Sequence, residues 1–415
     1  RLSPAMPRLR KRVAVTGLGI ITSNARSVPE FHHSLRHGIS GIKEVTHFDA
    51  GEYRNSRAGV IADFDPRGCG VDESLDRASQ LALVSAREAV QDAALRIEGE
   101  LRHRAAVCLG TSLGGMLSHM HRLRDDWRAA GEASSFLGSW RDVVGVPSSQ
   151  IANLLCRHFD VRGGHASVVT ACAAGSNSIS MAVDFIRQGR CQVVLACAVD
   201  PLTEISLSGF NILMALSRTS NRPFDRNRDG LLVGEGAGTL VLEDYDRAVD
   251  RGARIYGEIL GYGLSNDGYH PTQPDPEAGG ARRAILRALQ DADREPADMG
   301  YINAHGTATR YNDLMELKAI SSVYGDRAAR IPISSIKSMI GHTLGAAGTL
   351  EAIATVLALH HKFLPPTVNF QTAIEGFDFD FVPESRPAPE LTTASSHSFG
   401  FGGNAACLVF GAHAA

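Results

Sequence analysis

Short, almost wholly apolar runs alternate along this chain with longer segments of helical spacing. "RVAVTGLGII" (Arg12–Ile21) is apolar at most positions, which predicts a strand covered on both faces and running into a glycine turn. "LDRASQLALVSAREAVQDAALRI" (Leu75–Ile97) places apolar residues three and four apart and predicts a long helix. "AAVCLGTS" (Ala105–Ser112) and "ASVVTA" (Ala166–Ala171) read as buried strands, "SISMAVDFIRQGR" (Ser178–Arg190) as an amphipathic helix and "CQVVLACAVD" (Cys191–Asp200) as the next strand. Short strands interleaved with helices predict an α/β protein whose sheet is sandwiched between helices.

The order occurs twice. "RIYGEILGYGLSND" (Arg254–Asp267) resembles the opening strand and turn, "ARRAILRALQDA" (Ala281–Ala292) echoes the first long helix, and "GYINAHGTAT" (Gly300–Thr309) stands where "AAVCLGTS" stood. "IPISSIKSMIGHTLGAAGTLEAIATVLALH" (Ile331–His360) mirrors "HASVVTACAAGSNSISMAVDFIRQG" as strand, small-residue turn and helix. The repeat is too long for a solenoid. It predicts two similar α/β halves, 1–252 and 253–415, joined near Asp250–Arg254, with loops of both meeting at one site. The clearest irregular stretch is "ESRPAPELTT" (Glu384–Thr393).

Composition narrows the classes. The 415 residues are 44% hydrophobic and 21% charged with a formal net charge of −3, so no bulk charge recruits nucleic acid or an anionic membrane. "HRLRDDWR" (His121–Arg128) is the strongest local basic run, and a solvated helix face explains it better than a binding patch. No apolar run reaches the roughly 18 residues of a membrane span. The basic opening "RLSPAMPRLRKR" lacks the apolar stretch of a signal peptide, and Met6 reads as a natural start. Seven cysteines, an odd number with no C-x-x-C pair, suggest neither a disulfide framework nor a zinc site, and point to a reducing, cytoplasmic setting.

Candidate chemistry begins at "VVTACAAGSNSI" (Val168–Ile179), where a buried strand ends in Cys172 and a helix of small residues follows. Free N–H groups and the positive end of a helix dipole favour a thiolate there. Cysteine is also a common small core residue, and this segment alone leaves both readings open. "NAHGTAT" (Asn303–Thr309) sets His305 at the end of an apolar strand, and "SSIKSMIGHTLGAAGTLEA" (Ser334–Ala352) sets Lys337 and His342 ahead of a small-residue helix, with Glu351 further along it as a partner for Lys337. Two histidines and a cysteine in such turns favour one Cys-His-His site.

Glycine motifs add one competitor. "GLGIIT" (Gly17–Thr22) lacks the third glycine of a dinucleotide fingerprint. "GTSLG" (Gly110–Gly114) matches the G-x-S-x-G elbow, which would make Ser112 a hydrolase or acyltransferase nucleophile. "SFGFGGNA" (Ser398–Ala405) is either a tight turn or a loop that brings backbone N–H groups to a developing oxyanion.

Taken in order, these elements resemble the β-ketoacyl-acyl carrier protein synthases, condensing enzymes of the thiolase superfamily. The resemblance runs from "VAVTGLGIITS" to "SFGFGGNAACLVF" and includes "RPFDRNRDGLLVGEGAGTLVLE" (Arg222–Glu243), whose charges read as structural. "HGTAT" and "KSMIGHTLGAAG" look like the elongating branch with two histidines. The initiating branch, with histidine and asparagine, fits poorly. So do the thiolases, because Cys407 lies within a strand and not in the setting of a second catalytic cysteine.

The resemblance implies a thiolase-like fold layered α-β-α-β-α and a decarboxylative Claisen condensation. Cys172 would carry an acyl chain as a thioester. His305 and His342 would bind the malonyl thioester carbonyl, and Lys337, held by Glu351, would orient them. The N–H groups of Cys172 and Phe401 would form the oxyanion hole. Thr307 and Thr309 would hold the pantetheine arm, Phe401 would gate access, Leu113 would line the acyl pocket with Ser112 as a wall residue, and Asp313 and Glu316 would support the site from behind. No metal and no resident cofactor are implied; phosphopantetheine arrives on an acyl carrier protein. The expected assembly is a homodimer, or the active subunit of a heterodimer with a chain-length-factor-like partner. A non-catalytic partner subunit is the other alternative to a condensing enzyme.

Two departures stand out. The last glycine loop has Asn404 directly after the glycine pair and Ala405 where relatives carry asparagine, so a loop hydrogen bond is lost or re-routed through Asn404. Val144 and Gly145 precede "VPSS" where many relatives carry aromatics, which predicts a roomier acyl pocket for long, bulky or unsaturated chains.

Overall fold

The computed structural model describes residues 10–116 and 148–413. The run His121–Arg128 and the positions Val144 and Gly145 lie outside the described residues. Strand β1 is Val13–Thr22; β2 (Ile42–Glu44) and β3 (Arg57–Gly59) form a small ribbon. Then come β4 (Ala105–Gly110), β5 (His165–Val168), β6 (Val193–Asp200), β7 (Gly236–Asp244), β8 (Gly257–Asn266), β9 (Tyr301–Asn303) and β10 (Ile333–Ser334). A second ribbon, β11 (Phe363–Leu364) with β12 (Arg386–Pro387), precedes β13 (Thr393–Gly400) and β14 (Asn404–Ala412).

Among the described residues ten strands form one sheet in the order β10-β9-β13-β14-β8-β1-β7-β6-β4-β5. The sheet is two five-stranded sets joined where β1 meets β8 through Ala14↔Glu258 and Val15↔Gly257. Numbered within its own set, each runs 3-2-4-5-1, with the same parallel and antiparallel neighbours. The repeat seen in the hydrophobic pattern thus has a counterpart in strand order.

Alternation along the strands builds the layers. On β6, Val193, Leu195, Cys197 and Val199 face an outer core with the helices Arg77–Asp92 and Ser149–His158. Val194 and Ala196 face the opposite way, into the central core. On β14, Cys407 and Val409 face the helices Gly279–Asp291 and Arg310–Tyr324, while Leu408 and Phe410 face the centre. The central layer is the helix pair Ala174–Arg187 and Ala347–His361. The stack is therefore α-β-α-β-α, the expected thiolase-like arrangement. Ala347–Leu359 is buried on every side, which is why "AGTLEAIATVLAL" shows no polar stripe.

The two central helices approach each other through glycine. A Cβ on Gly175 would lie 2.7 Å from Thr349 N, and one on Gly348 would lie 2.6 Å from Ser176 N. Each glycine makes room for the other helix, so the turns that precede both helices are brought to one place.

Candidate active site

Cys172 sits in the turn between β5 and the helix Ala174–Arg187. Ala171 adopts φ 48°, the left-handed region that costs a non-glycine residue roughly 1–2 kcal/mol, and this turns the thiol away from the strand. Thr170 and Ala171 carbonyls accept the Ala173 and Ala174 N–H groups. The loop Ser398–Asn404 crosses directly above: a Cβ on Gly400 would lie 3.1 Å from Cys172 N and 3.2 Å from Ala173 N. The thiol consequently faces the backbone N–H of Phe401 as well as its own.

His305 follows β9. Its N–H donates to Glu316 Oε1 at 2.9 Å, and the Gly306 N–H donates to Glu316 Oε2 at 2.8 Å. Lys337 Nζ lies 3.2 Å from His305 Nδ1 and donates to the His305 carbonyl at 2.6 Å. His342 sits 5.3 Å from His305, ring centre to ring centre, edge to face. The Leu344 N–H donates to His342 Nδ1 at 3.3 Å. Each Nδ1 thus faces a donor, so the proton of each neutral ring is assigned to Nε2.

Electrostatics agrees with neutral rings. Burial first, then the Lys337 charge, hold both histidines well below the usual imidazole range. Lys337 and Glu351 are both 1% exposed and hydrogen-bonded to each other. Burial pushes Glu351 up and the ammonium pulls it back. The thiol behaves differently from the sequence expectation. Burial pushes Cys172 up to about 12, outweighing the Lys337 charge and the two N–H groups that favour the thiolate. At rest it is a neutral thiol, because its low-polarity enclosure costs the anion more than the turn returns.

A cavity of about 570 Å³ joins these groups, lined by Cys172, His305, His342, Thr307, Thr309 and Phe401, with Phe210, Asp267 and His270. Thr307 and Thr309 hydroxyls lie 2.9 Å apart. Phe401 is half-exposed and packs 5.8 Å from Phe210, which lies 6.3 Å from His342. The Asn404 side chain donates to the Phe401 carbonyl at 2.8 Å, so the glycine loop is closed through Asn404 with alanine at 405. Asp313 accepts the Phe224 and Ala308 N–H groups at 2.7 and 3.1 Å and rises to about 6 through burial. It ties the "RPFDRNRDG" segment to the His305 loop.

Ser112 and Leu113 are not among the lining residues. Their N–H groups donate to Asp200, as does the Thr111 hydroxyl, and Leu113 packs in a cluster with Phe210. Among the described residues Ser112 Oγ has no hydrogen-bond partner, so none of them stands as a base against it as the elbow motif requires. Sequence reasoning missed Asp200, Phe210 and His397. Asp200 had only its place at the end of an apolar strand to mark it. Among the described residues no group of three or more His, Cys, Asp or Glu is placed to hold a metal ion.

Residues 10–248 match the β-ketoacyl synthase N-terminal domain and residues 256–371 the C-terminal domain. The chain is 36% identical to the 3-oxoacyl-[acyl-carrier-protein] synthase 2 of Coxiella burnetii and 37% identical to that of Staphylococcus aureus, each over 96% of this chain and 98% of the relative. Among solved structures it resembles the ishigamide ketosynthase/chain length factor, with TM-score 0.91 and 36% identity over 98% of this chain and 100% of the other. It also resembles a type II polyketide synthase ketosynthase in complex with its acyl-carrier protein and bound to the hexaketide, with TM-score 0.89 and 32% identity over 98% and 100%. A thiol, two donor imidazoles and an N–H pair in one cavity, carried on this duplicated sheet by a chain matched along nearly its whole length, make the protein a member of the β-ketoacyl synthase family, a condensing enzyme and acyltransferase.

Proposed function

We propose that the protein condenses an acyl chain on Cys172 with malonyl-acyl carrier protein to give β-ketoacyl-acyl carrier protein, in fatty acid or type II polyketide or polyene synthesis. The observation that carries this is the shared cavity, in which the thiol faces two backbone N–H groups and both imidazoles have a donor against Nδ1, which assigns their protons to Nε2.

In the first half-reaction the Cys172 sulfur attacks the acyl thioester of the carrier. The tetrahedral oxyanion is held by the N–H groups of Cys172 and Phe401, the bond to the pantetheine sulfur breaks, and the thiol proton ends on that sulfur. In the second, malonyl loses CO₂ and the electron pair of the broken C–C bond moves onto the thioester oxygen. His305 and His342 stabilise this enolate as neutral donors, without creating a buried ion pair. The enolate carbon attacks the acyl carbonyl, the C–S bond breaks, and the Cys172 thiolate takes a proton from solvent. Lys337, fixed by Glu351, keeps the His305 Nδ1 side occupied by a donor. Thr307 and Thr309 bind the pantetheine arm, Phe401 gates the entrance, Leu113 backs the acyl pocket, and Asp313 and Glu316 hold the His305 loop.

The protein needs no cofactor of its own; phosphopantetheine comes on the carrier. Its partners are an acyl carrier protein and a second subunit, either an identical copy or a chain-length-factor-like chain. Two of the similar structures contain such partners. Having Cys172, this chain is the active subunit of such a pair. The two halves, 1–252 and 253–415, supply the thiol and the imidazoles respectively, which the matching strand order supports. A cytoplasmic setting fits seven free cysteines and, among the described residues, no helix long and apolar enough to cross a membrane. The test is mass spectrometry after incubation with a panel of acyl-carrier proteins: an acyl adduct on Cys172 is expected, and its absence with every carrier overturns the reading.

A further inference from the structure

Behind His305 lies a histidine that the reaction above does not use. His397, on β13, is fully buried, and β13 runs parallel to β9 with Ser396 opposite Asn303. Its Nδ1 lies 3.4 Å from Glu316 Oε1 and its Nε2 lies 3.2 Å from Ser395 Oγ. Its ring is 6.0 Å from Phe399, whose ring is 5.9 Å from His305. Glu316 is the carboxylate that accepts both the His305 and the Gly306 N–H.

A counter-charge beside its donors favours the ionised form of a fully buried carboxylate. The two amides supply only dipoles. Lys337 is engaged with Glu351 and His305, and Arg228 faces Asp313 at 3.7 Å. The groups around His397 are Glu316 on the helix Arg310–Tyr324, Glu351 on the helix Ala347–His361, Cys407 across the β14 ladder, and His305 beyond Phe399. Burial works against a charge on His397; Cys407 and Glu316 outweigh it and raise the ring to about 9.

We propose that His397 is a positioning residue: its imidazolium neutralises Glu316, which then clamps the His305–Gly306 peptide and so aims the His305 ring into the cavity. This rests on His305 being an enolate-binding residue. The positive charge also disfavours a proton on His305, keeping that ring a neutral donor.

Two measurements test this. Histidine ¹⁵N NMR of the whole protein at pH 7, with the signal assigned through its loss in His397→Gln, reads the ring directly. Both nitrogens protonated is expected, and a neutral ring overturns the proposal. This arm needs no turnover, so it decides the matter even where the protein neither acylates Cys172 nor decarboxylates malonyl-acyl carrier protein, a result that sinks the condensing reading instead. The second arm compares the parent, His397→Gln and the double variant His397→Gln/Glu316→Gln in each half-reaction. His397→Gln is expected to slow decarboxylation roughly tenfold while acylation of Cys172 stays within about twofold, and the double variant to recover part of the loss because no unpaired buried carboxylate remains. Near-parent acylation also serves as the folding control. Parent-rate decarboxylation by His397→Gln, equal loss of both half-reactions, or a double variant no faster than His397→Gln each overturns the proposal.

Discussion

The two halves share a strand order but not a chemistry. In the first, the loop after β4 presents Thr111, Ser112 and Leu113; in the second, the loop after β9 presents His305, Gly306 and Thr307. Each is clamped by a buried carboxylate. Asp200 accepts the Thr111 hydroxyl and the Ser112 and Leu113 N–H groups at 2.7–2.8 Å, and Glu316 accepts the His305 and Gly306 N–H groups. Asp200 also takes the Gly345 N–H at 2.6 Å, reaching across to the turn that holds His342. Among the described residues Glu316 holds groups of its own half. A common scaffold thus fixes where loops go, while the residue at the tip decides whether a loop becomes pocket support or a reactive group.

The largest expected effect separates the halves outright. Cys172→Ala should lower condensation by about 10³-fold or more while malonyl decarboxylation persists, measured by acyl adduct and by CO₂ release. Loss of both activities together would mean that the thiol and imidazoles do not act as separable sets. His305→Ala gives the complementary cut: decarboxylation should fall about 10²–10⁴-fold, with acyl transfer to Cys172 largely kept. The resting thiol can be titrated with iodoacetamide. With Cys172 pushed up to about 12, the labelling rate should climb about tenfold per pH unit from pH 6 to 9, because the thiolate fraction does so. A plateau above pH 7 would show that the helix end and Lys337 prevail over burial. Smaller in rate but visible in melting, Lys337→Met should cost about 3–5 kcal/mol by stranding Glu351, and Lys337→Met/Glu351→Gln should regain part of it. Smallest is Gly348→Ala, which forces the central helices apart at Ser176 and should cost about 1–3 kcal/mol in thermal unfolding.

Much of this was legible in the sequence because the signals are local. Runs apolar on both faces mark the buried strands, and repetition of their order marks the two sets. Cys172, His305 and His342 each stand at a strand-to-helix turn, where a change of pattern advertises them. Asp200 and His397 were not legible: Asp200 only ends an apolar strand, His397 sits in a run of serines, and each takes its meaning from partners far along the chain. The influence of burial on the thiol was not legible for a related reason. A helix end can be seen in "ACAAGSNS", but the burial that outweighs it depends on distant segments such as the loop at Gly400, which lies against Cys172 from more than two hundred residues away.

Both imidazoles turn Nε2–H towards the cavity, and this also defines what the thiol end refuses. Among the described residues, the two imidazoles that share the cavity with Cys172 offer a water molecule reaching its acyl thioester donors and not a base. Neither ring serves hydrolysis as a base, whereas an enolate arrives with its electron pair already free. Ring orientation thereby favours keeping the stored chain intact between carriers.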